Sequence, residues 1–127
     1  MLITIDFASD TPIYTQLRDQ IVVGIARGVL APGEALPSVR QMAANIGVHA
    51  HTVNKAYATL RDEGFVVIDR RSGCRVANDI SRADNHFMDT LRAKLLPIVA
   101  SAVGRHMTME EFKVLCEEIF ANLERKN

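Results

Sequence analysis

Apolar residues recur every four positions at Ile13, Leu17, Ile21 and Ile25, the stripe of an amphipathic helix. Thr11 is placed to cap it, Pro12 suits its first position, and Gly28 stops it before a turn, APGEAL. The preceding LITID alternates, as a short strand or an extended arm does. A second pattern begins at Ser38. With Gln41 three residues on it makes a capping box, Val39, Met42, Ala43 and Ile46 then face inward, and Gly47 supplies a left-handed stop. A third helix follows after two or three residues, from about Ala50 to Glu63. Val53, Ala56, Tyr57 and Leu60 form its buried side and Gly64 closes it. FVVID and CRVAN are β-rich runs joined by RRSG, which predicts a hairpin with a basic tip.

The last part of the chain is patterned differently. From Asp79 to about Val103, one side carries Phe87, Leu91, Leu95, Ile98, Val99 and Ala102. Pro97 falls inside this helix and should kink or break it, and Gly104 should end it. Thr108 and Glu111 form another capping box, opening a helix to about Lys126. Its stripe is Phe112, Leu115, Cys116, Ile119, Phe120 and Leu123. A helix, a short helix, a tight turn, a longer helix and a hairpin make a winged helix-turn-helix. The expected fold is mostly α with a small β-hairpin: a winged helix-turn-helix over residues 1–78, then a two-helix tail over 79–127. The tail stripe either packs back on the winged domain or meets a second chain. Two helices alone are small and offer more apolar surface than one partner helix needs, which favours a homodimer. Phe87, Leu91, Leu95, Val99, Phe112, Leu115, Ile119, Phe120 and Leu123 would form its interface.

Charge sharpens this reading. The formal net charge is zero, but it is unevenly spread. From Ser38 to Arg75 the basic residues Arg40, Lys55, Arg61, Arg70, Arg71 and Arg75 face only Asp62, Glu63 and Asp69. From Asp79 onward acids slightly outnumber bases. A local basic patch is what phosphate binding requires. Cys74 and Cys116 are too few and too far apart for a disulfide framework or a zinc knuckle, and point to a reducing cytoplasm. MLITIDFASD lacks the pattern of a signal peptide. No run reaches the ~18 apolar residues that read as a membrane span.

The segment from PIYTQL through G-x-L-x-P-G-x-x-LPS-x-R to GV-x-x-x-TV-x-x-AY-x-x-L-x-x-EGFV resembles the winged helix-turn-helix of GntR-type bacterial transcription regulators, over about residues 10 to 78. The Thr-Val and Ala-Tyr variant and the short tail look most like the YtrA subfamily, in which two helices after the winged domain serve dimerisation. The resemblance implies that Arg40, the Arg of LPS-x-R, contacts DNA. It also implies that His49, Ala50, His51 and Thr52 open the helix entering the major groove, and that the wing tip of Arg70, Arg71, Ser72 and Gly73 reaches the minor groove or its phosphates. This chain departs from many relatives at His49, Ala50 and His51, and has Arg71-Ser72-Gly73 where many have G-x-G.

Each candidate also has a plainer role. A guanidinium at Arg40 grips a phosphate or a guanine edge bidentately, or is a solvated arginine. Ser38 is first a cap, beside backbone N–H groups that favour anions. His49 and His51 read as base-edge or phosphate contacts, as surface residues, or as an H-x-H metal pair, which would need a further ligand close by. Thr52 and Lys55 share a helix face; Lys55 suits a phosphate, and Asn54 an adenine edge or plain solvent. The wing arginines suit a narrow minor groove, or merely keep a hairpin soluble. Arg75 reads as surface.

The expected function is sequence-specific DNA binding by a dimeric transcriptional repressor on an inverted-repeat operator, in the cytoplasm, with no cofactor and no membrane partner. No effector is named by the sequence. The alternatives are a winged-helix protein-interaction module or, less favoured, a His-based metal-dependent enzyme; no Ser-His-Asp set, paired carboxylates or phosphate-cradling glycine loop supports catalysis.

Overall fold

The structure is a computed structural model and describes residues 2–124. The chain divides after Ile80 into two compact units. The first opens with an extended arm whose Ile3 and Ile5 pack on the core. Two glutamine amides hold this arm as a strand neighbour would. Gln20 exchanges both bonds with the Thr4 backbone, at 2.9 and 2.6 Å. Gln16 does the same with Asp6, at 2.9 and 3.0 Å.

Helix α1 (Ile13–Ala26) buries Leu17, Ile21 and Gly24. Its N-cap is Pro12, and no side chain caps it. Thr11 therefore does not serve as the cap; its carbonyl accepts from Gln16 Nε2 instead. Helix α2 (Val39–Ile46) carries the capping box of Ser38 and Gln41, with bonds of 3.1 and 3.2 Å, and turns off at Gly47, φ 69°. Such a turn costs glycine nothing sterically. Helix α3 (Ala50–Asp62) buries Val53, Ala56, Tyr57 and Leu60.

Strands β1 (Val66–Asp69) and β2 (Gly73–Val76) pair antiparallel, Val66 opposite Val76 and Asp69 opposite Gly73. The segment before α2, expected as a plain turn, flanks the other side of β2. Leu36 N donates to the Cys74 carbonyl, and Val76 N to that of Glu34. The wing is thereby tied to the loop that presents α2. Leu17, Ile21, Val53, Leu60 and Val76 are essentially inaccessible and form the core with Met42 and Tyr57. Each such aliphatic contributes about 1.5–3 kcal/mol.

The second unit holds α4 (Asn85–Gly104) and α5 (Met109–Glu124). Helix α4 begins later than the apolar pattern suggests, where the Asp84 carboxylate accepts from Phe87 N at 2.8 Å. It runs unbroken through Pro97, because one proline removes a single ladder bond and the rest of the turn is kept. Gly104 is its last residue rather than its stop. The reversal falls on His106 at φ 64°, with bonds from His106 N to Val103 and from Met107 N to Ala102. Thr108 and Glu111 cap α5 reciprocally, at 2.8 and 3.1 Å. The part of this helix expected beyond Glu124 lies outside the described residues. The architecture is a winged helix-turn-helix followed by two further helices.

Candidate nucleic-acid interface

Helix α3 is two-faced. His51, Asn54 and Lys55 are exposed, Thr52 is half-buried, and the opposite side is core. His49 is the N-cap in extended backbone, is exposed, and makes no side-chain cap bond at the front of the helix. Ala50 and His51 form the exposed first turn beside it. Among the described residues no three His, Cys, Asp or Glu side chains come together as metal ligands would.

Arg40 is exposed at the second position of α2, and Ser38 is engaged as its cap. The wing tip is shaped by the Asp69 carboxylate, which accepts from Arg71 N at 2.9 Å, and by Gly73 at φ 73°. Arg70, Arg71 and Ser72 form the turn, whereas Gly73, expected in the tip, already belongs to β2.

Some of the cations are paired. Arg18 is forked on Glu63 and bonded to Asp19, Arg61 pairs with Asp62, and Arg92 with Asp89. Arg40, Lys55, Arg70 and Arg71 form no ion pair among the described residues. Cations without an acidic partner thus stand on α2, α3 and the wing tip, the elements for which phosphate contact was expected; Arg82, Lys94, Arg105 and Lys113, nearer the C-terminus, form no ion pair among the described residues either. Arg75 is not a plain surface residue: it is half-buried and donates to the Gly33 carbonyl at 3.2 Å. Cys74 is buried, which pushes its thiol up to about 11 and keeps it protonated and inert at neutral pH.

Two contacts have no local signal in the sequence. Lys55 Nζ lies 4.1 Å from the centre of the Tyr14 ring. Tyr57, expected in the core, donates its hydroxyl to the Pro37 carbonyl at 2.8 Å.

In the second unit, no residue of α4 or α5 is buried among those described. Phe87, Leu91, Leu95 and Val99 follow each other at four-residue spacing on α4, all exposed, and Leu115, Ile119 and Phe120 are exposed on α5. Phe112 and Leu123 are half-buried. Leu91, Leu95, Leu96 and Val99 line an open groove of about 630 Å³ along α4.

Residues 13–76 match the family of bacterial regulatory proteins, gntR family. The HTH-type transcriptional repressor YtrA of Bacillus subtilis is 31% identical over 123 residues, 96% of this chain and 95% of that protein. A transcriptional antiterminator from Listeria monocytogenes EGD-e superposes with a TM-score of 0.90 at 28% identity, over 100% of this chain and 96% of its own. The AraR(DBD) in complex with operator ORX1 matches with a TM-score of 0.53 at 25% identity, over 61% of this chain and 95% of its own.

Proposed function

We propose that this chain, which belongs to the GntR family of bacterial regulatory proteins and is a DNA-binding transcriptional regulator, works as a homodimeric repressor on an inverted-repeat operator. The observation that carries the dimer is the bare apolar stripe of the tail. Phe87, Ile119 and Phe120 are 48, 51 and 68% exposed. A run of exposed apolar residues along one helix face is the kind of surface that marks an interaction site. A second copy of α4 and α5 covers it through Phe87, Leu91, Leu95, Val99, Phe112, Leu115, Ile119, Phe120 and Leu123.

The dimer sets two copies of α3 in successive major grooves, roughly 34–36 Å apart. Arg40, Lys55, Arg70 and Arg71 hold phosphates, with Ser38 and its N–H neighbours at the front of α2 and Ser72 and Gly73 shaping the wing tip. His49, Ala50, His51, Thr52 and Asn54 face the bases. Support for the DNA partner comes from the unpaired cations on these elements and from the operator held by the similar AraR domain. Occlusion of a promoter makes the outcome repression, the role carried in the name of the Bacillus relative. The work is binding rather than turnover, and it takes place in the cytoplasm with the DNA. No helix among the described residues is long and apolar enough to cross a membrane.

Selection of bound duplexes from a random pool, with sedimentation of the free protein, tests this reading. The expected result is a dimer at micromolar concentration and a selected site with two-fold symmetry. A monomer that binds no duplex even at low ionic strength overturns it.

A further inference from the structure

Tyr14 and Lys55 lie 41 positions apart, on the first turn of α1 and the middle of α3, yet the ammonium sits 4.1 Å from the centre of the ring. Lys55 has no acidic partner among the described residues. The nature of the partner matters. A carboxylate would fix the side chain and cancel its charge. An aromatic face fixes it and leaves the charge and the outward N–H donors available.

The contact also decides where the charge is delivered. An exposed lysine one turn beyond His51 would sweep a wide arc over the base-reading face of α3. Drawn onto Tyr14, its ammonium stands instead at the seam with α1. That seam does not slide. Leu17 and Ile21 share the core with Val53 and Ala56, and Arg18 forks onto Glu63 at 2.9 and 2.7 Å as a second tie between the same segments.

We infer that Tyr14 is a positioning residue for DNA binding: its ring holds the Lys55 ammonium at the α1–α3 seam as a phosphate contact, so that Lys55 supplies affinity without choosing a base. The inference rests on the DNA-binding role proposed above. An exposed ammonium–ring contact favours the held arrangement roughly two- to fivefold. Affinity falls by that factor when the arrangement must be found at random. A dimer uses it twice, so the loss on a full operator is about 4- to 25-fold.

The test uses the full chain and a duplex selected by it, with dissociation constants measured over a range of salt. Tyr14→Phe keeps the ring and should bind within about twofold of the unaltered protein. Tyr14→Leu should lose about 4- to 25-fold, equally on the operator and on base-changed duplexes. Lys55→Met should lose more and flatten the salt dependence by about one phosphate per subunit. The double variant should bind no worse than Lys55→Met, with each dissociation constant referred to the folded fraction measured by thermal melting, so that a loss of stability in Tyr14→Leu does not count as lost binding. The inference is overturned if Tyr14→Leu binds normally, or if Tyr14→Phe falls with it, which makes the hydroxyl the DNA contact. It is overturned equally if the Tyr14 effect persists without Lys55, or if Lys55→Met changes the preferred base. Failure of the unaltered chain to bind any duplex removes the functional reading itself, and this inference with it.

Discussion

The hydroxyl of Tyr57, in the core of α3, donates to the carbonyl of Pro37 at 2.8 Å. Pro37 immediately precedes the Ser38 cap, so this bond ties α3 to the start of the helix that carries Arg40. Burial raises the phenol well above its ordinary value, keeping it a donor at every pH at which the protein is used. Tyr57→Phe keeps the ring and strands the carbonyl. Stability should fall by about 1 kcal/mol, read as a lower urea midpoint at constant slope. An unchanged midpoint shows that water replaces the hydroxyl.

Gly33 links the loop before α2 to the wing, its N–H bonded to the Val76 carbonyl and its φ at +79°. A Cβ there meets Asn78 Oδ1 at 2.7 Å. Because that atom ends an exposed side chain able to swing away, the backbone conformation sets most of the cost. Gly33→Ala should destabilise by roughly 1–2 kcal/mol, and adding Asn78→Ala should recover little of it. Full recovery in thermal melts of the double variant would place the cost in the clash.

These ties separate what was legible in the sequence from what was not. The Ser38–Gln41 box, the reversal at Gly47 and the buried side of α3 each rest on neighbours within four residues, and each was read from the chain. Lys55 on Tyr14, Arg18 on Glu63 and Leu36 beside Cys74 join residues 38 to 45 positions apart. Only the packed core brings them together, so no local pattern announces them. Arg75 was misread for the same reason: its partner, Gly33, is 42 positions away in sequence, in the loop that flanks β2. At Pro97 the expected break does not occur, because the missing bond is one among many in a long helix. Of the site, the exposed cations were legible in kind and element; their lack of acidic partners became visible only in three dimensions.

Thr108 N–H donates to the Glu111 carboxylate at 2.8 Å, and the Thr108 hydroxyl accepts from Glu111 N at 3.1 Å. Hydrogen bonding of the carboxyl to the Thr108 backbone N–H first, and then to the Thr108 side chain, holds Glu111 below its usual value. A group depressed on folding stabilises the fold above its unfolded value, about 4.3 for glutamate, and loses that contribution as pH falls through the lower folded value. Fraying of the first turn of α5 should therefore begin only below the ordinary glutamate range. An NMR titration of Glu111 should give a depressed midpoint that Thr108→Ala moves back up. A midpoint at the ordinary value would mean that the cap does not form in solution.

Arg40 and Arg71 are both exposed and without an ion pair among the described residues, but they sit on different elements. On the proposed reading, Arg40→Ala should weaken operator binding by ~1–3 kcal/mol, and more on the operator than on unrelated duplex if it reads a guanine edge. Arg71→Ala, at the wing tip, should cost most on sites with a narrow, A/T-rich minor groove beside the half-site. Competition binding with flank-varied duplexes separates the two. No loss from either change points to a winged-helix module that recognises protein instead.

Leu95 lies midway along the bare stripe of α4, beside Leu91 and Val99 in the apolar groove. If a second copy covers this face, Leu95→Asp places a carboxylate from each chain in the interface, where an unpaired charge costs several kcal/mol. The dimer should then dissociate at least ~100-fold more readily, since each factor of ten is about 1.4 kcal/mol. The winged unit does not contain this residue and keeps its own core. Cooperative melting of that unit should therefore survive while binding to the two-fold operator collapses to the weak affinity of one half-site. Sedimentation of the variant as an unchanged dimer would remove the α4 face from the interface and leave the assembly to a different surface.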